Sequence, residues 1–300
     1  MLPQSAWDQL ARLGPIWASN VSGHVQQMVD LFSAIHKGAP DDGVQVTRDL
    51  AYGPHARQCL DVFRLPDRHQ RPVVVFVHGG AFVSGHRNRS GQIYANVLRY
   101  FARHDYVGVN IEYRLAPEAC YPQGSEDVAN AVAWVRRHIA GYGGDPTAIF
   151  LACHSAGAAH VCGYLFDPQV KRSETPDVRG LMVISGRVRA DADADNPNAA
   201  KVRAYYGDDV SLYAQRSPVN HASATPCPVF IAFAEYENPL IDVYCLELAY
   251  QIAIECRRAP EVIQMTRHNH TSIIGHINTT EDELGKRMRL FIDRHTVRAD

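Results

Sequence analysis

No apolar run in the 300-residue chain approaches the roughly 20 residues needed to cross a bilayer. Neither sign of charge dominates. Lys and Arg total 30 against 32 Asp and Glu, so no long-range field draws the protein to nucleic acid or an anionic membrane surface. Cysteine is sparse and shows no pairing pattern. The seven residues (Cys59, Cys120, Cys153, Cys162, Cys227, Cys245 and Cys256) are an odd number, none stands in a C-x-x-C pair, and most lie in apolar runs. They read as reduced, mostly buried thiols. The opening "MLPQSAWDQLARLG" has neither the basic start nor the apolar stretch of a secretory leader. The expectation is a cytoplasmic protein that acts on a small molecule, with no nucleic acid or membrane as partner. Nothing in the sequence marks a dimer interface, and a homodimer stays open.

From residue 45 onward, short β-rich runs alternate with helical patterns, as in an α/β sheet. "VQVTRDLAYG" and "ARQCLDVFRL" predict an antiparallel hairpin at the edge, followed by "PVVVFVHGG", "YVGVNIEYRL", "AIFLACHS", "VRGLMVISG", "PVFIAFAEYE" and "EVIQMTRH". The dense Val, Ile and Phe suit strands covered on both faces, giving about eight strands, mostly parallel. In "SEDVANAVAWVRRHIAGYGG", Val128, Val132, Val135 and Ile139 form one helical stripe, with Ser125 as N-cap and Gly141 as stop. The chain reads as one domain, 1–300. Residues 1–44 form a helical cap segment and 187–217 a polar, lid-like insertion, both candidates to cover the crevice at the carboxyl ends of the strands.

The chemistry-bearing residues fall at those strand ends. Ser155 in "IFLACHSAGAAHV" passes directly from a strand into small residues, as a nucleophile elbow requires, although Cys153 stands where G-x-S-x-G has its first glycine. Two nucleophile types two positions apart are separated by direction: Cys153 is still on the strand with its side chain in the sheet, so Ser155 is preferred. Small residues in His78-Gly79-Gly80-Ala81 let backbone N–H groups approach a developing oxyanion, and the N–H of Ala156 supplies another. Among His268, His270 and His276, His270 lies beyond the strand end but before the next helix, and is preferred as base; the other two read as surface or packing residues. Glu237 is preferred as its carboxylate partner, with Glu235 two positions away as the alternative. Serine, acid, histidine is the chain order of α/β-hydrolases.

With these residues in place, the chain resembles α/β-hydrolase esterases of the hormone-sensitive-lipase type and their kynurenine-formamidase-like relatives over about residues 45–295. The resemblance rests on "HGGAFVSG", "VNIEYRLAPEACYPQGSEDVANAVAWV", "GGDPTAIFLACHSAGA" and "NHTSII", and H-S-A-G-A brings it nearest the formamidase and feruloyl-esterase-like branch. It implies an α/β-hydrolase fold and oxyanion contacts from Gly80 and Ala81. It also implies a serine hydrolase cleaving small or aromatic carboxylic esters through an acyl-enzyme, with an arylformamidase or amidase as the alternative. Phe82, His154, Tyr205 and Tyr206 are expected to approach the substrate, from their positions beside the motifs. "DADADN" departs from a calcium loop at its sixth position and reads as solvated; H-x-H without partners in ligand spacing is weak evidence for a metal. No cofactor and no metal is expected.

Overall fold

The computed structural model describes residues 2–39, 42–170, 172, 176 and 178–296. Among them, eight strands form one sheet: β1 (Gln45–Ala51), β2 (Cys59–Arg64), β3 (Arg71–Val77), β4 (Val107–Ile111), β5 (Gly144–His154), β6 (Gly180–Ile184), β7 (Val229–Tyr236) and β8 (Glu261–Asn269). The spatial order is β1-β2-β4-β3-β5-β6-β7-β8. β1 and β2 pair antiparallel, as do β2 and β4; every other pair is parallel.

Alternation along the strands sorts the core into two layers. Val73, Val75, Val77, Leu151 and Cys153 face one side, where they pack with α4 (Gln123–His138), α5 (Gly157–Phe166) and α8 (Ile241–Cys256). Val74, Phe76, Phe150, Ala152 and Phe230 face the other, against α1 (Gln4–Leu13), α2 (Val21–His36), α3 (Ala95–Arg103) and α10 (Glu283–Thr296). Both layers are closed to water, which is why the central strands are apolar on both faces.

The N-terminal helices thus belong to a core layer, with Leu10, Met28 and Phe32 buried. A 3₁₀ segment, Gly14–Asn20, joins α1 to α2 where the sequence reads Gly-Pro. The insertion holds α6 (Ala199–Tyr206) and α7 (Tyr213–Arg216); α9 (Ser272–Gly275) follows β8. Two expected helix ends move. α4 begins at Gln123 behind Pro122, which has no N–H to leave unsatisfied, and Ser125 is buried inside the helix. The α-helix itself ends at His138, a 3₁₀ turn over Ile139–Tyr142 carries the chain through Gly141, and Gly143, with φ of 84°, closes that turn in the left-handed conformation. No helix among the described residues is long and apolar enough to cross a membrane.

Candidate active site

β5 ends at His154 and α5 begins at Gly157, so Ser155 and Ala156 alone turn the strand into the helix. Ser155 sits at the tip with φ of 54°, a conformation that side chains rarely adopt. The approach is close: a Cβ at Gly157 would lie 2.4 Å from the carbonyl oxygen of Val77 and 2.6 Å from that of His78. Only glycine lets α5 start against the end of β3. Cys153 pairs with Val77 and Val183 in the sheet and is fully buried. Burial, with Cys162 and Cys245 nearby, pushes its thiol well above the ordinary cysteine range, so it stays protonated. Cys153→Ala is therefore expected to keep kcat/KM for any substrate within about twofold, at a stability loss of about 1 kcal/mol for the small void; thermal melts and initial rates check both.

At the far end of the sheet the loop after β8 returns to this tip. Ser155 Oγ donates to His270 Nε2 at 3.0 Å, and His270 Nδ1 donates to Glu237 Oε2 at 2.5 Å. The carboxylate only accepts, so the geometry fixes the tautomer with Nε2 facing the serine. Glu237 follows the last residue of β7 and curls back onto its own strand. Its Oε1 accepts from the Ala234 N–H at 2.8 Å and from the Ser185 hydroxyl. The extra methylene relative to aspartate supplies that reach. Glu235 points elsewhere, accepting from the Arg267 N–H at 2.6 Å at an exposed position. Ser185 carries little mark in the sequence, where it is only a small polar residue directly after β6, the strand beside β7.

The turn after β3 faces the same point. Gly80, Ala81 and Phe82 have φ of 148°, 50° and 72° in succession. A side chain at Gly80 would put its Cβ 1.8 Å from the Ser84 carbonyl oxygen. The amides of Gly80, Ala81 and Ala156 donate to no acceptor among the described residues. Behind the turn, both ring nitrogens of His78 face acceptors, Gly79 O at 2.7 Å and Glu112 Oε1 at 2.7 Å. Glu112 also accepts from the Arg57 side chain and from the Arg87 N–H at 3.0 Å. Burial alone would raise the Glu112 carboxyl, but the His78 contact and these donors hold it at about 2. The glutamate of "NIEYRL" thus anchors the histidine of "HGGA".

His154 lines the cavity and joins the two sides. Its Nε2 donates to the His270 carbonyl at 2.9 Å, so Nδ1 accepts, taking the Tyr94 hydroxyl at 3.2 Å. The Tyr94 oxygen accepts from the Gly79 N–H at 3.3 Å. Burial, with His270 nearby, holds the imidazole pKa well below its usual value, which suits this neutral tautomer. With both nitrogens engaged, His154 shapes the wall and offers a substrate no free polar atom.

Over Ser155 lies a cavity of about 520 Å³. Val21, Val25 and Val29 of the N-terminal segment wall one side; Arg187, Asn198 and Lys201 of the insertion wall another. Three residues expected at the substrate do not line it. Phe82 stacks on Tyr205 with ring centroids 4.8 Å apart, and Tyr206 meets Phe82 edge-on at 5.5 Å. All three are buried in a separate aromatic cluster, because the positive φ at Phe82 directs its ring into the insertion rather than over the serine. "DADADN" is likewise not fully solvated: Asp191 and Asn196 are buried, with the Asn196 amide donating to the Asp191 carbonyl at 2.6 Å.

His268, His276 and Glu281 bring three ligand-type atoms within 4.8 Å of one another, a donor set in which a divalent metal could sit. In the structure the trio brackets the His270 loop: Glu281 Oε2 lies 3.1 Å from His276 Nε2 and 3.5 Å from His268 Nε2.

Residues 60–171 match the BD-FAE family model. The chain is 29% identical over 215 residues to "Esterase LipQ" of Mycobacterium tuberculosis (strain ATCC 25618 / H37Rv), covering 65% of this chain and 49% of that protein. Matches to curated relatives span about half of their length or less. Among solved structures, "ESTERASE B from Lactobacillus Rhamnosis (HN001)" superposes with a TM-score of 0.74 at 15% identity, over 96% of this chain and 95% of that one. An esterase from the bacterial hormone-sensitive lipase (HSL) family gives 0.73 at 17% identity, over 97% and 99%. The chain has the α/β-hydrolase fold.

Proposed function

We propose that the protein hydrolyses carboxylic esters through an acyl-enzyme on Ser155. The observation that carries this is the hydrogen-bonded line Ser155–His270–Glu237 on the floor of an accessible cavity, beside the Gly80, Ala81 and Ala156 amides, which have no acceptor among the described residues. Ser155 Oγ attacks the ester carbonyl while His270 Nε2 takes its proton. Glu237 steadies the imidazolium through Nδ1. The amides of Gly80, Ala81 and Ala156 hold the tetrahedral oxyanion. His270 then passes the proton to the leaving alkoxide, and a water activated the same way releases the acid. The names of similar proteins, esterases among them, support the reaction class.

A cavity of about 520 Å³, with Val21, Val25 and Val29 on one side and polar and cationic side chains on another, suits a short acyl chain or one aromatic ring. Seven free cysteines support a reducing compartment such as the cytoplasm. The H-S-A-G-A run at 154–158 favours a second reading, a formamidase acting on an aryl C–N bond with the same residues. A panel of short acyl aryl esters, feruloyl esters and N-formylkynurenine separates them. Ester turnover with kcat on the order of 1–10³ s⁻¹ is expected. Turnover of N-formylkynurenine with none of the esters would overturn the ester reading.

A further inference from the structure

We propose that the cavity over Ser155 contains an anion subsite, centred on Arg187, that selects esters carrying a carboxylate on the acyl or alcohol part. The proposal rests on the ester-hydrolase reading and narrows its substrate class.

Three cationic side chains line the cavity, Arg89, Arg187 and Lys201, and no carboxylate among the described residues does. Such a lining gives the cavity a positive field that low-dielectric walls focus. Arg187 is the unusual member. It is 3% exposed, and its Nη1 has no hydrogen-bond partner. A guanidinium removed from water without an anion is costly, so buried arginines are normally paired. No carboxylate among the described residues pairs with it. Asp191 accepts from the Tyr244 hydroxyl instead, and the Tyr244 ring lies 5.4 Å from the Arg187 guanidinium carbon. The arginine is tied to the reacting centre by its backbone, its N–H donating to the Ser155 carbonyl at 2.9 Å. Among the described residues, Lys201 Nζ donates to the neutral Asn198 side-chain oxygen at 3.1 Å, and Arg89 Nη2 to the neutral Gln26 at 3.4 Å. A substrate carboxylate would supply the anionic partner these groups lack, and a planar carboxylate matches the guanidinium fork.

Two matched pairs of probes test this, with uncatalysed rates subtracted. The para-nitrophenyl monoester of glutaric acid is compared with its neutral methyl diester, and para-acetoxybenzoate with para-acetoxybenzamide. The pair that responds tells whether the carboxylate sits on the acyl or the alcohol side. In at least one pair kcat/KM for the anionic member is expected to exceed the neutral one by about tenfold or more, the gap shrinking as salt is raised. Arg187→Met should lower that ratio to about two or three, the share left to the remaining cations, and Lys201→Met, at an exposed side chain, should lower it about two- to threefold. An Arg187 that serves packing alone would lower thermal stability on substitution and leave the ratio unchanged, which overturns the proposal. Titration of the Ser155→Ala protein with glutarate and with benzoate is independent of turnover. Binding weakened about fivefold or more by adding Arg187→Met supports the subsite. No binding of either anion overturns it. Binding without ester turnover in the parent protein leaves the subsite standing and removes the hydrolase reading alone.

Discussion

Ser155→Ala is expected to lower kcat for a para-nitrophenyl ester by about 10⁴- to 10⁶-fold while the melting temperature stays close to that of the parent protein. The size follows from the chemistry: without Oγ no acyl-enzyme forms, and only the oxyanion amides and binding remain to assist water. Stability is spared because the hydroxyl makes one side-chain contact, to His270 Nε2, and contributes little to packing. His270→Ala should cost about as much, and the double variant little more than either alone, since the two act as one unit. Losses that multiply in the double variant would contradict a shared step.

Glu237→Gln carries the second large effect, a fall in kcat of about 10²- to 10⁴-fold with the fold retained. The Gln carbonyl oxygen would take over the Oε1 bonds from the Ala234 N–H and the Ser185 hydroxyl. Its amide NH₂ then faces His270 Nδ1, which can only accept. That forces the proton onto Nε2, where it opposes the Ser155 hydroxyl instead of receiving its proton. Glu237→Asp should also lose activity, because the shorter chain cannot reach both Ala234 N and His270 Nδ1. Initial rates across pH, with NMR of the His270 ring nitrogens, distinguish the wrong tautomer from simple loss of charge. Wild-type rates in Glu237→Gln would remove Glu237 from the mechanism.

Some of this arrangement was visible in the chain before its structure. The strands were, because burial on both faces makes runs such as "VVVFV" and "IFLAC" continuously apolar. Ser155, Glu237 and His270 stood out because each falls at a strand end and their order along the chain suits one fold. What stayed hidden depends on contacts between distant strands. Ser185 matters only because β6 lies beside β7, and Glu112 only because β4 lies beside β3. Arg187 looks like one of many arginines until the structure buries it without an anion. Phe82, Tyr205 and Tyr206 misled for the opposite reason. Nearness to a motif in sequence says nothing about the direction of a side chain, and a φ of 72° at Phe82 sends its ring into an aromatic cluster away from the cavity.

The central claim, that Ser155 and not Cys153 forms the covalent intermediate, is tested most directly by reacting the protein with an aryl fluorophosphonate and locating the adduct by fragmentation of the peptide spanning residues 149–161. A single adduct on Ser155 is expected, formed equally in Cys153→Ala and absent in Ser155→Ala. An adduct on Cys153, or ester turnover that persists in Ser155→Ala, would contradict it.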